Sequence, residues 1–246
     1  MSGLIKKGLK LILPKEVYKN LANFKNTYIS KYSLKSYSQE GEDLILLRIF
    51  ERQKFGFYID VGAHHPFRFS NTYLFYKRGW KGINIDATPG SMKLFNKFRK
   101  RDINLEIAVG EKEDLLTFYI FNEPALNTFD ENLAKQRNGI SGYFIIQKIP
   151  VKVYPLAKIL EEYLPKGQEI DFMNIDVEGK DLEVLKGNDG NKFRPKVILV
   201  EILSSSLEEV FDNSTYTFLN ENNYSLFAKT FNTCFFIENK FLEFLR

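Results

Sequence analysis

The chain has 246 residues, a length that one α/β domain can use in full. Its 35 basic and 31 acidic residues are interleaved and leave a net charge of only +4, which argues against nucleic-acid binding as the main activity. The single cysteine, Cys234, excludes an internal disulfide and a cysteine-held zinc, and fits a reducing, cytoplasmic setting.

No run approaches the roughly 18–20 apolar residues of a membrane span. Within residues 1–14, Lys6, Lys7 and Lys10 interrupt Leu4, Ile5, Leu9, Leu11, Ile12 and Leu13. A signal peptide would keep its charges ahead of the apolar run and end in small residues. Two readings stand: a basic amphipathic helix in peripheral contact with a membrane surface, or a terminus that packs on the domain or frays. Residues 1–35 read as an N-terminal extension and 36–246 as one domain.

Leu44, Ile45, Leu47 and Ile49 predict a helix over 40–54. The continuous apolar run 57–63 predicts a strand covered on both faces, as in a parallel sheet. A crossover helix over 71–78 ends at Gly79, and a second strand follows at 82–87. Thr88 as N-cap and Pro89 in the first turn open a helix whose apolar face is Met92, Leu94, Phe95 and Phe98. Residues 104–110 read as a third strand and 115–121 as a fourth, while 123–147 has no clear period. A helix begins at Pro155 and stops at Pro165. Strands at 170–177 and 197–202 flank a short helix at 180–186. A helix near 215–220 precedes an antiparallel pair, 224–230 with 233–238.

This alternation predicts an α/β fold with a doubly wound, mostly parallel sheet and a C-terminal antiparallel hairpin. Right-handed crossovers place the C-terminal strand ends on one rim. Asp60, Asp86, Asp176 and Glu201 all fall on such ends, more acids than packing requires.

The rim points to a nucleotide-type cofactor. No Walker loop and no G-x-G-x-x-G follows a strand; the first loop has only Gly62 before His64, His65 and Pro66. A pyrophosphate needs several glycines for close approach, and Asp60 would repel it. S-adenosylmethionine has no phosphate. Asp60 could hold its cationic part, directly or through water, and Asp86 could accept both ribose hydroxyls. The structural alternative is that Asp60 caps the following turn and Asp86 the following helix.

Several short stretches extend this reading: Ser36-Tyr37-Ser38-Gln39-Glu40-Gly41-Glu42-Asp43, then Tyr58 to Pro66, then Ser70-Asn71-Thr72. Gly79 to Asp86, Ala108-Val109-Gly110 and Asn174-Ile175-Asp176-Val177-Glu178-Gly179 follow in order. Together they resemble the FkbM-type S-adenosylmethionine-dependent methyltransferases over about 36–203. The resemblance implies a seven-stranded, Rossmann-like class I methyltransferase fold. It also implies O-methylation, often of sugars in polysaccharide, glycolipid or natural-product biosynthesis. The cofactor-binding positions would be Gln39, Glu40, Asp60, Gly62, Ala63, Ser70, Asn71, Thr72, Asp86 and Ala108. The segment of Gln39 and Glu40 would fold over the cofactor, and Ser70, Asn71 and Thr72 would hydrogen-bond its carboxylate.

A sugar hydroxyl is weakly acidic, so a base or a metal should assist its methylation. His64, His65, Asp176 and Glu178 are the catalytic candidates. By fold-level analogy with catechol-type O-methyltransferases, Asp176, Glu178 and Glu201 could hold Mg²⁺ or Mn²⁺. The competing functions are an NAD-type sugar oxidoreductase or epimerase, and a non-catalytic partner in a glycan-assembly complex.

Overall fold

The computed structural model describes residues 13–24, 27, 34–204 and 206–245. The chain divides into two compact units, Met1–Lys35 and Ser36–Arg246. The first holds helix α1, Lys15–Phe24. Residues 1–12, nearly all of the segment read as membrane-contacting, lie outside the described residues. No described helix is long and apolar enough to cross a membrane.

The second unit is built on strands β1 (Phe57–Val61), β2 (Lys81–Ile85), β3 (Ile103–Leu105), β7 (Phe172–Ile175), β8 (Val197–Glu201), β9 (Tyr224–Lys229) and β10 (Thr233–Glu238). They form one seven-stranded sheet in the order β3-β2-β1-β7-β8-β10-β9. The first five are parallel, and β10 runs antiparallel to both β8 and β9. This is the predicted architecture, closing hairpin included. Every residue of β1 and β7 is buried, which accounts for their mostly apolar sequences, broken only by Asp60 and Asn174.

Successive side chains of β1 serve opposite faces. Phe57, Ile59 and Val61 join a core with Ile83, Met173, Ile198 and helices α6 (Leu156–Tyr163) and α7 (Asp181–Lys186). Tyr58 joins the other core, with Phe172, Leu199, Phe235, Trp80 and helix α2 (Glu42–Ile49). Strand order reverses at β1, which pairs with β2 on one side and β7 on the other. The crevice at the C-terminal ends of these strands is where α/β sheets bind ligands.

Three expectations are corrected. Residues 104–110 are not one strand: the chain leaves the main sheet after Leu105, and Ala108–Gly110 (β4) joins a second sheet. That sheet has the order β4-β6-β5, with β5 spanning Asp114–Phe121 and β6 spanning Ile145–Pro155. Strand β6 was not predicted, and it contains Pro150, a residue disfavoured in a central strand. Pro150 is tolerated because β4 pairs only with Val153–Pro155, leaving Pro150 with β5 alone. The irregular segment also contains helix α5, Glu131–Arg137, capped by the Asp130 carboxylate. Finally, α4 begins at Met92 (Met92–Phe98), not at Thr88. The Thr88 carbonyl instead accepts the Ser91 N–H in a turn. Helix α3 is Tyr73–Lys77.

Candidate active site

The crevice is a cleft of about 1110 Å³, its open mouth included, in the second unit. It is floored by the ends of β1, β2, β7 and β8, with one wall from the segment before α2 and another from the second sheet and its loops.

The first loop is tightly determined. Gly62 has φ +83°, and a Cβ there would lie 1.7 Å from the Asp176 carbonyl oxygen. Its glycine is therefore required by close approach of the β1 and β7 ends, not by a ligand phosphate. His64 also has a left-handed backbone, φ 51°, held by its N–H donating to Asp86 Oδ2 at 2.9 Å. The His64 ring lines the cleft, and its Nε2 is buried without a partner. Burial lowers the His64 pKa, with Asp86 acting against it, so the ring is neutral at pH 7. His65 turns away: its Nδ1 accepts the N–H groups of Phe67 and Arg68 at 3.1 and 3.0 Å. It shapes the loop and does not line the cleft.

Asp60 is 2 % exposed. Its Oδ2 accepts the Thr72 hydroxyl at 2.8 Å and its Oδ1 accepts Asn174 Nδ2 at 2.9 Å. Burial raises its pKa, while these two bonds pull it back. Both Asp60 oxygens thus serve protein donors, neither of them in the turn that follows β1, and the residue lines the cleft. Asp86 accepts the Thr88 N–H on Oδ1 at 2.7 Å, so it orders the turn that follows it. Each Asp86 oxygen keeps a further lone pair, and the residue lines the cleft.

Gln39 and Glu40 line the cleft as expected. Asp43, fully buried, fixes their segment by accepting Ser36 Oγ, Tyr37 N–H and Ser38 Oγ. Glu40 accepts the Asn232 N–H at 2.9 Å, which ties the segment to the β9–β10 turn. Gly62, Ala63 and Asn71 also line the cleft. Ser70, Thr72 and Ala108 do not. Ser70 Oγ accepts the Tyr73 N–H, Thr72 faces Asp60, and Ala108 is buried in β4, whose neighbours Ile107 and Val109 reach the cleft instead. Asn174, Thr88, Phe118 and Asn127 line the cleft and were not predicted. Only Asn174 carried a sequence signal, as the first residue of the Asn174-Ile175-Asp176 stretch.

Asp176, Glu178 and Glu201 all line this cleft. Asp176 is exposed to solvent there, although protein surrounds it closely. Burial and then the charges of Glu178 and Glu201 raise its pKa well above the ordinary carboxylate range. Glu201 is pushed up to about 7, by burial first and Glu178 second. Glu178 (φ 55°) forms an ion pair with Arg137 of α5 at 2.6 Å. The predicted metal triad is not supported. Glu178 is committed to Arg137, and among the described residues no three His, Cys, Asp or Glu are grouped to hold a metal ion.

Asp181, at the start of α7, is also buried, which raises its pKa to about 7. Between about pH 4, where an unfolded carboxyl titrates, and about pH 7, the folded chain keeps a proton that the unfolded chain has released. Folding stability from this group is therefore greatest near the acid end of that window and falls as pH rises to 7. We expect a melting temperature higher at pH 5.5 than at pH 8, with an Asp181→Asn variant showing a shallower slope; an equal slope would discount Asp181.

A parallel sheet with acids at the ends of β1 and β2, lining one cleft, is the arrangement in which α/β proteins bind nucleotide-type ligands. The methyltransferase FkbM domain model matches residues 60–226, and the chain belongs to this methyltransferase family. No curated protein sequence matches it. Among solved structures it is similar to a methyltransferase from Geobacter sulfurreducens, at 10% identity over 97% of this chain and 96% of that one, with a TM-score of 0.36. It is also similar to the O-methyltransferase from Bacillus cereus solved in complex with SAH, at 13% identity over 95% and 97%, again with a TM-score of 0.36.

Proposed function

We propose that the protein is an S-adenosylmethionine-dependent O-methyltransferase acting on a hydroxyl of a sugar or glycan-type acceptor. The observation that carries the cofactor is Asp86, a carboxylate at the end of β2 that lines the cleft beside an apolar wall of Ile85, Ile107, Val109 and Phe118. A ribose diol suits the carboxylate and an adenine ring suits the apolar wall. Two buried polar atoms facing this region, His64 Nε2 and Asn71 Oδ1, have no protein partner, as expected of groups that complete their bonding with a ligand. When bound, S-adenosylmethionine supplies the electrophilic methyl group.

The acceptor reading is supported by the opposite end of the cleft. Its lining includes Glu40, Asp176, Glu178 and Glu201 and no Lys or Arg. Carboxylates accept hydrogen bonds from sugar hydroxyls and repel phosphate or carboxylate groups. Asp176 takes the proton of the acceptor hydroxyl: among the described residues its carboxylate accepts no hydrogen bond, and its raised pKa is closer to that of a useful base. Glu178, paired with Arg137, shapes the wall.

The test is thermal. At a hundredfold excess over Kd, S-adenosylmethionine or S-adenosylhomocysteine should raise the melting temperature by roughly 5–10 °C, and NAD should leave it unchanged. A shift with NAD alone would instead favour an oxidoreductase.

A further inference from the structure

Asp60 of β1 lines the cleft, and its carboxylate is also linked through two amides to Asn71 there. Arg99 Nη2 donates to Thr72 Oγ1 at 2.9 Å, and a guanidinium has no acceptor. Thr72 Oγ1 in turn donates to Asp60 Oδ2 at 2.8 Å, a shorter contact than its 3.3 Å one to Ser70 Oγ. With its other oxygen, Asp60 accepts Asn174 Nδ2, which fixes that amide with Oδ1 turned outward. Asn174 Oδ1 accepts Asn71 Nδ2 at 2.8 Å, which fixes the next amide the same way. The chain ends on Asn71 Oδ1, buried, unpartnered and at the cleft.

With the Asp60 carboxylate as acceptor, the two amides that follow are oriented donor to acceptor. The unpartnered end, Asn71 Oδ1, is therefore an acceptor linked to Asp60 through two amides. The Asn71 side-chain oxygen does not suit the carboxylate expected at this position, because a carboxylate facing it would meet a lone pair. His64 Nε2, the other unpartnered atom, has no such imposed polarity, since a neutral imidazole nitrogen donates or accepts according to its tautomer.

We infer that Asn71 reads the ammonium group at the amino-acid end of the cofactor, and that Asn174 is the positioning residue that turns its oxygen toward that group. The inference rests on the cofactor reading above and adds what discriminates within it. A charge-assisted bond of this kind corresponds to a preference of about 10- to 100-fold.

The experiment compares two probes on the full chain: S-adenosylhomocysteine, and its analogue with hydrogen in place of the α-amino group. In the wild type, the analogue should bind about 10- to 100-fold more weakly. In Asn71→Ala the two affinities should converge, through weaker binding of S-adenosylhomocysteine alone. Asn174→Leu should shrink the same ratio without touching the ligand. A ratio of affinities is insensitive to a general loss of folded protein, which weakens both probes equally. Asn71→Ser serves as the milder variant should Ala or Leu fold poorly. The inference is overturned if the wild type binds both probes equally, or if the preference survives in Asn71→Ala. If neither probe binds the wild type, the cofactor reading falls and this inference with it.

Discussion

Replacing Asp176 by Asn should lower kcat for methyl transfer by about 10²–10⁴-fold while leaving cofactor affinity nearly unchanged. The substitution keeps the shape and removes only the basic oxygen. Asp176 sits at the end of β7, its backbone locked by its own N–H donating to the Val61 carbonyl and by close contact with Gly62. The backbone that carries the side chain is thus fixed between two strand ends. The same change removes a charge that burial and the neighbouring Glu178 and Glu201 oppose. We therefore expect a melting temperature equal to or above the wild type, measured alongside the rate. That pairing separates a functional carboxylate held against its preference from a structural one. A variant with wild-type kcat would move the base to His64 or Glu201; a variant with a sharply lower melting temperature would make Asp176 a structural residue.

Arg99→Met should destabilise the protein by about 3–5 kcal/mol, a fall of roughly 6–20 °C in melting temperature. Arg99 is fully buried and its Nε bonds Asp102 Oδ2 at 2.9 Å. Its Nη1 bonds the Pro66 carbonyl, and its Nη2 bonds the Tyr58 hydroxyl and Thr72. Asp102 also accepts Tyr58 Oη, the Gly82 N–H and Asn84 Nδ2. Methionine fills the volume but leaves two buried carboxylates, Asp60 and Asp102, with no cation. Adding Asp102→Asn should recover part of the loss, because the uncompensated charge is then gone. Chemical denaturation of the single and double variants measures both. No recovery in the double variant would mean that packing, and not charge balance, is what Arg99 provides. The loss should extend to cofactor binding, since Arg99 orients Thr72 and, through Asp60, the amides at the cleft.

The main sheet was legible because burial on both faces leaves a continuous apolar run with an acid at its end. Phe57 to Asp60 shows this directly, and Phe172 to Asp176 shows it with one interruption at Asn174. The hairpin was legible from its two aromatic-rich strands. The second sheet was not, since Lys148, Pro150 and Lys152 break the apolar pattern of β6 and the pairing that tolerates Pro150 is decided by distant residues. Acids at strand ends were found from order alone. Their partners were not, because Arg99 with Asp102 and Arg137 with Glu178 meet only through tertiary contact. Two site expectations failed for local reasons. His65 spends Nδ1 on its own loop, and Ser70 and Thr72 spend their hydroxyls on α3 and Asp60. Neither could be inferred without knowing where the chain turns after Pro66.

The most direct measurement is a calorimetric titration of S-adenosylhomocysteine into the wild-type protein and into Asp86→Ala. Saturable binding at one site per chain, weakened at least tenfold in Asp86→Ala, is the expected result. Absence of binding to the wild type, or equal affinity in the two proteins, would contradict a cofactor held by the β2 carboxylate.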